Sequence, residues 1–320
     1  MTSRIPAPRL APKAPPYYPR TRAGVLEVAE SWYEPSRVAI NEKAIAELSV
    51  GTITPPPAGE TSLEIDASSP LSDAAEFAIA MGAINHMFWS IDEQGQFVRY
   101  IHNGQVGAVA MSAAFENAWS DPDSPIRRAR VFHEPLTVAS IQAVFGDIPD
   151  TPGRARILNQ ILLSNELAAF GEEAEALAEA GGGFDTTFAA RLADAFPDGY
   201  ADEVLKKAQL ATSAIWRSAV GRGYDGEPAS LTAFADYQIP RVLRAMGLLD
   251  YAPDLAAAID AEQLIPAGSR DEQALRAAAI LGIEKLAEAQ GVGVADVDYW
   301  VWLQRKLPKE PFHLTLTTDY

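Results

Sequence analysis

Apolar residues return at three- and four-residue steps in one segment after another of this chain, and that rhythm restricts it to a fold built from amphipathic helices. The pattern runs through residues 157–180, 186–196, 201–220 and 271–289. Residues 24–50 carry two helical patterns separated by Glu34-Pro35-Ser36. Residues 73–88, DAAEFAIAMGAINHMF, predict a further helix with Ser72 or Asp73 as its cap. One stretch breaks the rhythm. FVRYIHNGQVGAVAM, residues 97–111, sets β-branched and aromatic residues on both sides of Asn103-Gly104. Asn-Gly favours a two-residue turn, so a small β-hairpin is expected there. The final HLTLTTDY alternates and is rich in Thr, the pattern of a terminal strand. Strands do not alternate with helices, which disfavours a doubly wound parallel sheet. The expectation is a mainly α fold: a single helical domain over residues 23–320 with a small β-hairpin, preceded by a Pro-rich flexible tail over residues 1–22.

Several classes of function are poorly supported. The chain has no cysteine, which rules out disulfides, thiolate nucleophiles and cysteine metal sites, and fits a cytoplasmic setting. The N-terminal MTSRIPAPRLAPKAPPYYPR has basic residues but no apolar core, so it does not read as a secretory signal. No apolar run approaches the length that spans a bilayer, and no membrane partner is expected. Lys and Arg number 26 against 43 Asp and Glu, a formal net charge of −17. A surface this acidic repels phosphate backbones, so polymeric DNA or RNA is an unexpected partner; a small anion received by a local cation cluster is not excluded. The four histidines, at 86, 102, 133 and 313, form no ligand motif. Gly181-Gly182-Gly183 ends a helix instead of following a strand, so it does not read as a phosphate loop. No serine-hydrolase elbow is present. Carboxylates and aromatics remain as carriers of chemistry. Nothing in the pattern speaks to oligomeric state.

Three segments, in order, carry a resemblance. They are Ile84-Asn85-His86-Met87-Phe88-Trp89-Ser90; Leu231-Thr232-Ala233-Phe234-Ala235-Asp236-Tyr237-Gln238-Ile239-Pro240-Arg241-Val242-Leu243; and Val297-Asp298-Tyr299-Trp300-Val301-Trp302, followed by Pro311-Phe312-His313 and the aromatic Tyr320. Weaker matches are Lys206-Lys207-Ala208-Gln209 with Trp216, and Arg270-Asp271-Glu272 with Arg276. Any one block is weakly specific, but the ordered set resembles the queuosine salvage protein family from about residue 25 to the end. The resemblance implies a helical fold like that of the helix-hairpin-helix DNA glycosylases. It also implies a hydrolase that releases queuine from queuosine 5′-phosphate in salvage for tRNA modification, with neither metal nor organic cofactor.

Cleaving an N-ribosidic bond leaves positive charge on the ribose, and a preorganised carboxylate in a dry pocket stabilises it. The resemblance puts Asp236 in that catalytic role. Read from residues alone, Asp236 is favoured as a helix cap before Tyr237-Gln238-Ile239-Pro240, and the resemblance reverses that preference. A 7-deazapurine has carbon in place of N7, so its departure has to be assisted through other polar edges. Asp298 is the candidate reader of the base's N1 and 2-amino donors, with a helix cap as the alternative. Phe234 stands two residues before Asp236, so one short segment supplies both a stacking platform and a carboxylate. Tyr237, Trp302, Phe88 and Trp89 are further wall candidates, each of which also reads as ordinary core. Lys206, favoured by the resemblance, and Arg270 are candidates for the 5′-phosphate, with solvated surface cations as the alternative. Arg276 also reads as an ion-pair partner of Glu272, four residues earlier. Readings of other classes stay open: a protein that binds queuine or its nucleotide without cleaving it, a nucleic-acid glycosylase, or a helical interaction protein.

Overall fold

The computed structural model describes residues 18–57, 63, 68–225 and 229–320. Residues 1–17 of the Pro-rich tail therefore lie outside the described residues. Among the described residues, fifteen helices and three small antiparallel strand pairs make one mainly helical domain.

The first elements are α1 (Arg22–Trp32), β1 (Val38–Ile40) and α2 (Glu42–Glu47). Thr21 caps α1 by accepting from Gly24 N at 3.1 Å. The two helical patterns read over residues 24–50 are thus interrupted by a strand. β1 exists because it pairs with β6 (Leu249–Tyr251), a partner about two hundred residues away that no local pattern reveals.

Next come α3 (Leu71–Ala83), β2 (Trp89–Ile91), β3 (Phe97–Arg99), β4 (Ile101–His102) and β5 (Gln105–Val106). α3 starts before the expected caps. Pro70 occupies the N-cap without a side-chain bond, and the Asp73 carboxylate is taken by Arg130 instead. The β4–β5 hairpin forms where expected. Asn103 and Gly104 both have positive φ, 48° and 76°, as a two-residue primed turn requires. A second hairpin, β2–β3, precedes it, with Trp89 opposite Arg99.

The middle of the chain is helical: α4 (Ala108–Ser120), α5 (Pro125–Phe132), α6 (Val138–Phe145), α7 (Thr151–Leu162), α8 (Glu166–Glu179), α9 (Thr186–Ala195), α10 (Pro197–Tyr200) and α11 (Lys206–Gly221). With α3 they enclose the larger apolar core, where α11 lies along α3. The approach is close at Gly82, where a Cβ would stand 3.1 Å from Tyr200 Oη and 3.2 Å from Ala211 Cβ. The rest of the chain forms α12 (Gln238–Ala245), β6, α13 (Pro253–Asp260), α14 (Arg270–Gln290) and α15 (Val294–Leu303). These pack with α1, α2 and β1 into a second core.

The final residues do not form a strand. They make a single parallel bridge, Leu264 to Leu314, and Ile265 N donates to Leu314 O at 2.8 Å. Alternation here reflects a buried tail. Phe312, Leu314 and Tyr320 cluster with Met87, Trp89 and Tyr237.

Candidate active site

A cavity of about 480 Å³ draws its walls from both cores: from α11 of the larger one, α15 of the smaller one, and the chain around Phe88, Asp236 and Tyr320 between them. That size suits a nucleoside-sized ligand. Residues 231–237 cross it as an extended strap between α11 and α12. Side chains pin the strap at successive points. Thr232 N donates to Gln209 Oε1 at 2.8 Å, and Gln209 Nε2 donates to Thr232 Oγ1 at 2.9 Å. Phe234 N donates to Asp298 Oδ2 at 2.8 Å. An extended strap would otherwise leave these amides unpaired in a buried place.

Asp236 closes the strap at the N-terminus of α12. Its Oδ1 accepts from Gln238 N at 2.6 Å and Ile239 N at 3.1 Å. Asp236 therefore makes capping bonds and lines the cavity at once. Both bonds end on one oxygen, Oδ1. The alternative of a cap for Asp298 does not hold, because α15 begins at Val294 and Asp298 lies inside it. Asp298 is buried and lines the cavity. Burial pushes its carboxyl up to about 7, aided by the charge of Asp236 and opposed by the Phe234 N–H and Lys206.

Lys206, first residue of α11, also lines the cavity and is buried, not solvated. Burial lowers its pKa, a fall that Asp236 and Asp298 oppose. Its neighbour Lys207 points elsewhere and donates from Nζ to Ala83 O at 2.7 Å.

Phe234, Tyr237, Trp302 and Phe88 all line the cavity. Tyr237 stacks on Phe312 with ring centroids 4.4 Å apart and planes at 28°. Trp302 lies parallel to Tyr299 at 5.9 Å, and the Arg305 guanidinium sits 3.4 Å from its ring centre. Two of the expected residues are not brought to the cavity. Trp89 follows Phe88 at the start of β2, and successive strand side chains face opposite ways, so it packs against Phe97 at 6.0 Å. The Arg270 side chain is 65 % exposed and pairs with Glu34 at 2.7 Å.

Sequence reasoning missed Arg99, Arg217, Arg241, Arg305 and Lys306, which also line the cavity. Arg217 and Arg241 are committed to structure, and Arg305 also donates to the Trp302 carbonyl at 3.2 Å. Arg217 pairs with Asp296, and Arg241 donates to the carbonyls of Arg305 at 3.2 Å and Pro308 at 2.8 Å. Arg99 and Lys306 are exposed and Arg305 half-buried, so positive charge gathers at the mouth. No motif marks these five cations, because they come from four separate elements. Tyr299, Phe312 and Tyr320 also line the cavity and sit in the segments quoted for the family resemblance. Among the described residues, no group of three or more His, Asp or Glu side chains is arranged to hold a metal ion. Nor is any helix long and apolar enough to cross a membrane.

Comparison with known proteins identifies the family. The family model described as "Queuosine salvage protein" matches residues 65–317. A Sphaerobacter thermophilus protein named queuosine 5′-phosphate N-glycosylase/hydrolase is 30% identical over 94% of this chain and 99% of its own length. A mouse protein of the same name is 25% identical over 77% of this chain and 82% of its own. A Dictyostelium discoideum protein of that name is 32% identical over a shorter stretch, 36% of this chain and 39% of its own. With its cavity, its paired acids and matches of this extent, the chain belongs to the queuosine salvage protein family.

Proposed function

We propose that this protein hydrolyses the N-glycosidic bond of queuosine 5′-phosphate to give queuine and ribose 5-phosphate. One observation carries the reading: Asp236 and Asp298 open into a single aromatic-walled cavity beside a buried lysine. The Asp236 carboxylate is held rigid by two backbone N–H groups, so it meets developing positive charge without reorganising. As the C1′–N9 bond breaks, its electron pair leaves with the base and the ribose becomes oxocarbenium-like. Water then adds to C1′, Asp236 draws off its proton, and that proton passes to the departing base, which leaves as neutral queuine and restores the carboxylate. The base lies between aromatic faces, where Phe234, Tyr237 and Trp302 supply the surfaces. When ionised, Asp298 offers Oδ1 to the base's donors, since Oδ2 is taken by Phe234 N. Lys206 meets an anionic substrate oxygen from within, and Arg99, Arg305 and Lys306 add positive charge at the mouth for the 5′-phosphate. Arg270, outside the cavity, takes no part. A cysteine-free chain needs no oxidising compartment, which accords with a cytoplasmic enzyme.

The test is direct. Purified protein is incubated with queuosine 5′-phosphate, and free queuine and ribose 5-phosphate are followed by liquid chromatography. Catalytic release of both is expected. A tight complex that never releases base would instead make this a carrier of the nucleotide.

A further inference from the structure

We propose that Glu272, Arg276 and Asp202 act as positioning residues, a buried charge relay that sets two walls of the cavity, Tyr320 and Lys206, relative to each other. The proposal rests on the hydrolysis above for its readout, and on geometry for its content. None of the three lines the cavity, yet each end of the relay grips a residue that does. At one end, Tyr320 Oη donates to Glu272 Oε1 at 2.9 Å. Glu272 lies one turn before Arg276 on α14, with Oε1 3.8 Å from Arg276 Nε, an ion pair but too long for a hydrogen bond. Arg276 Nη2 then donates to Asp202 Oδ2 at 2.8 Å. The same Asp202 oxygen accepts the backbone N–H of Lys206 at 2.8 Å. The guanidinium also lies over the Tyr320 ring at 5.0 Å, so it holds that side chain by its face as well as through Glu272.

All three residues are at most 4% exposed. Burial would weaken the Arg276 charge, but Asp202 and Glu272 outweigh it and keep the guanidinium ionised. Buried ion pairs are a poor route to stability, because apolar side chains of the same volume hold a core as well. What charges with fixed donors and acceptors supply is direction. Here they tie the last residues of the chain to the first turn of α11.

A double-mutant cycle tests this on the full chain with queuosine 5′-phosphate as substrate, using Asp202→Asn and Tyr320→Phe. Each single change keeps the native circular dichroism spectrum, lowers kcat about tenfold and leaves KM within about threefold, since misplacing a wall harms the transition state more than ground-state binding. The double variant falls no more than about threefold below the weaker single one, because both changes break the same relay. A double loss equal to the product of the single losses overturns the proposal. So does wild-type kcat with only a lowered melting temperature. If Asp202→Asn does not fold, Glu272→Gln replaces it in the cycle; failure of both to fold also counts against a positioning role. A wild-type protein that releases no base sinks the hydrolysis itself, whereas turnover with additive variants sinks only the relay.

Discussion

Asp236 does two things with one carboxylate, and that makes its substitutions informative. Asn keeps an oxygen for the N–H groups of Gln238 and Ile239, so Asp236→Asn should hold stability to within about 1 kcal/mol. It removes the charge that faces the ribose, so kcat should fall by roughly 10²–10³ or more. Asp236→Ala should lose activity and also about 1 kcal/mol of cap. Urea unfolding beside steady-state kinetics reads both quantities; full turnover by the Asn variant would remove Asp236 from the chemistry. Asp298 is separable by pH. In the folded protein it keeps its proton up to about pH 7, against an ordinary value of 3.8. Between those values the native state carries the extra proton, so this residue's contribution to stability falls as pH rises and is fully lost above pH 7. Asp298→Asn does not titrate, so its stability relative to wild type should climb through that window by up to roughly 4 kcal/mol and then level off. Denaturant melts at a series of pH values check the sign. Both acids could be singled out in the sequence, but the environment that separates them could not. For Asp298 it arises from burial, Lys206 and the Phe234 N–H, which come from parts of the chain remote from α15.

At the scale of elements, local signals were readable and distant ones were not. Asn103-Gly104 announced its hairpin because the turn chemistry lies within two residues. β1 read as helix because its partner β6 is remote. Likewise, nothing in the α7 sequence marks Arg154, which ties down the segment joining α3 to β2. Its fully buried guanidinium donates to the carbonyls of Pro149 at 2.8 Å and Met87 at 3.2 Å, and to those of Ile84 and His86. That segment needs holding, since Met87 sits at φ 44° just before the wall residue Phe88. Burial lowers the Arg154 pKa to about 10, so it remains charged at neutral pH. Arg154→Leu would strip several buried carbonyls of their donor. The expected loss is about 3 kcal/mol or more, with a raised KM as Phe88 loses its backing. Differential scanning calorimetry and Michaelis kinetics measure the two effects; an unchanged KM in the folded variant would detach Phe88 from the substrate.

At the scale of the whole molecule, a net charge of −17 surrounds a cavity whose mouth gathers Arg99, Arg305 and Lys306. A dianionic phosphate is repelled by the first and attracted by the second, and range decides between them. At 0.1 M salt the Debye length is about 10 Å, so charges spread over the far surface are screened while those at the mouth act at contact. Duplex DNA presents charge along a length far beyond the mouth, so it meets the acidic surface and should give no gel shift even at low salt. For the nucleotide, the local cluster should govern. Raising NaCl from about 0.1 to 0.5 M should lower kcat/KM for queuosine 5′-phosphate several-fold, as the mouth cations are screened. The dephosphorylated nucleoside lacks the charge, and its kcat/KM should change less than about twofold over the same range. Stopped-time chromatography at several salt concentrations with both substrates makes the comparison. A kcat/KM that rises with salt for the nucleotide would mean that the global field prevails, and that Arg99, Arg305 and Lys306 are solvated surface residues and do not receive the phosphate.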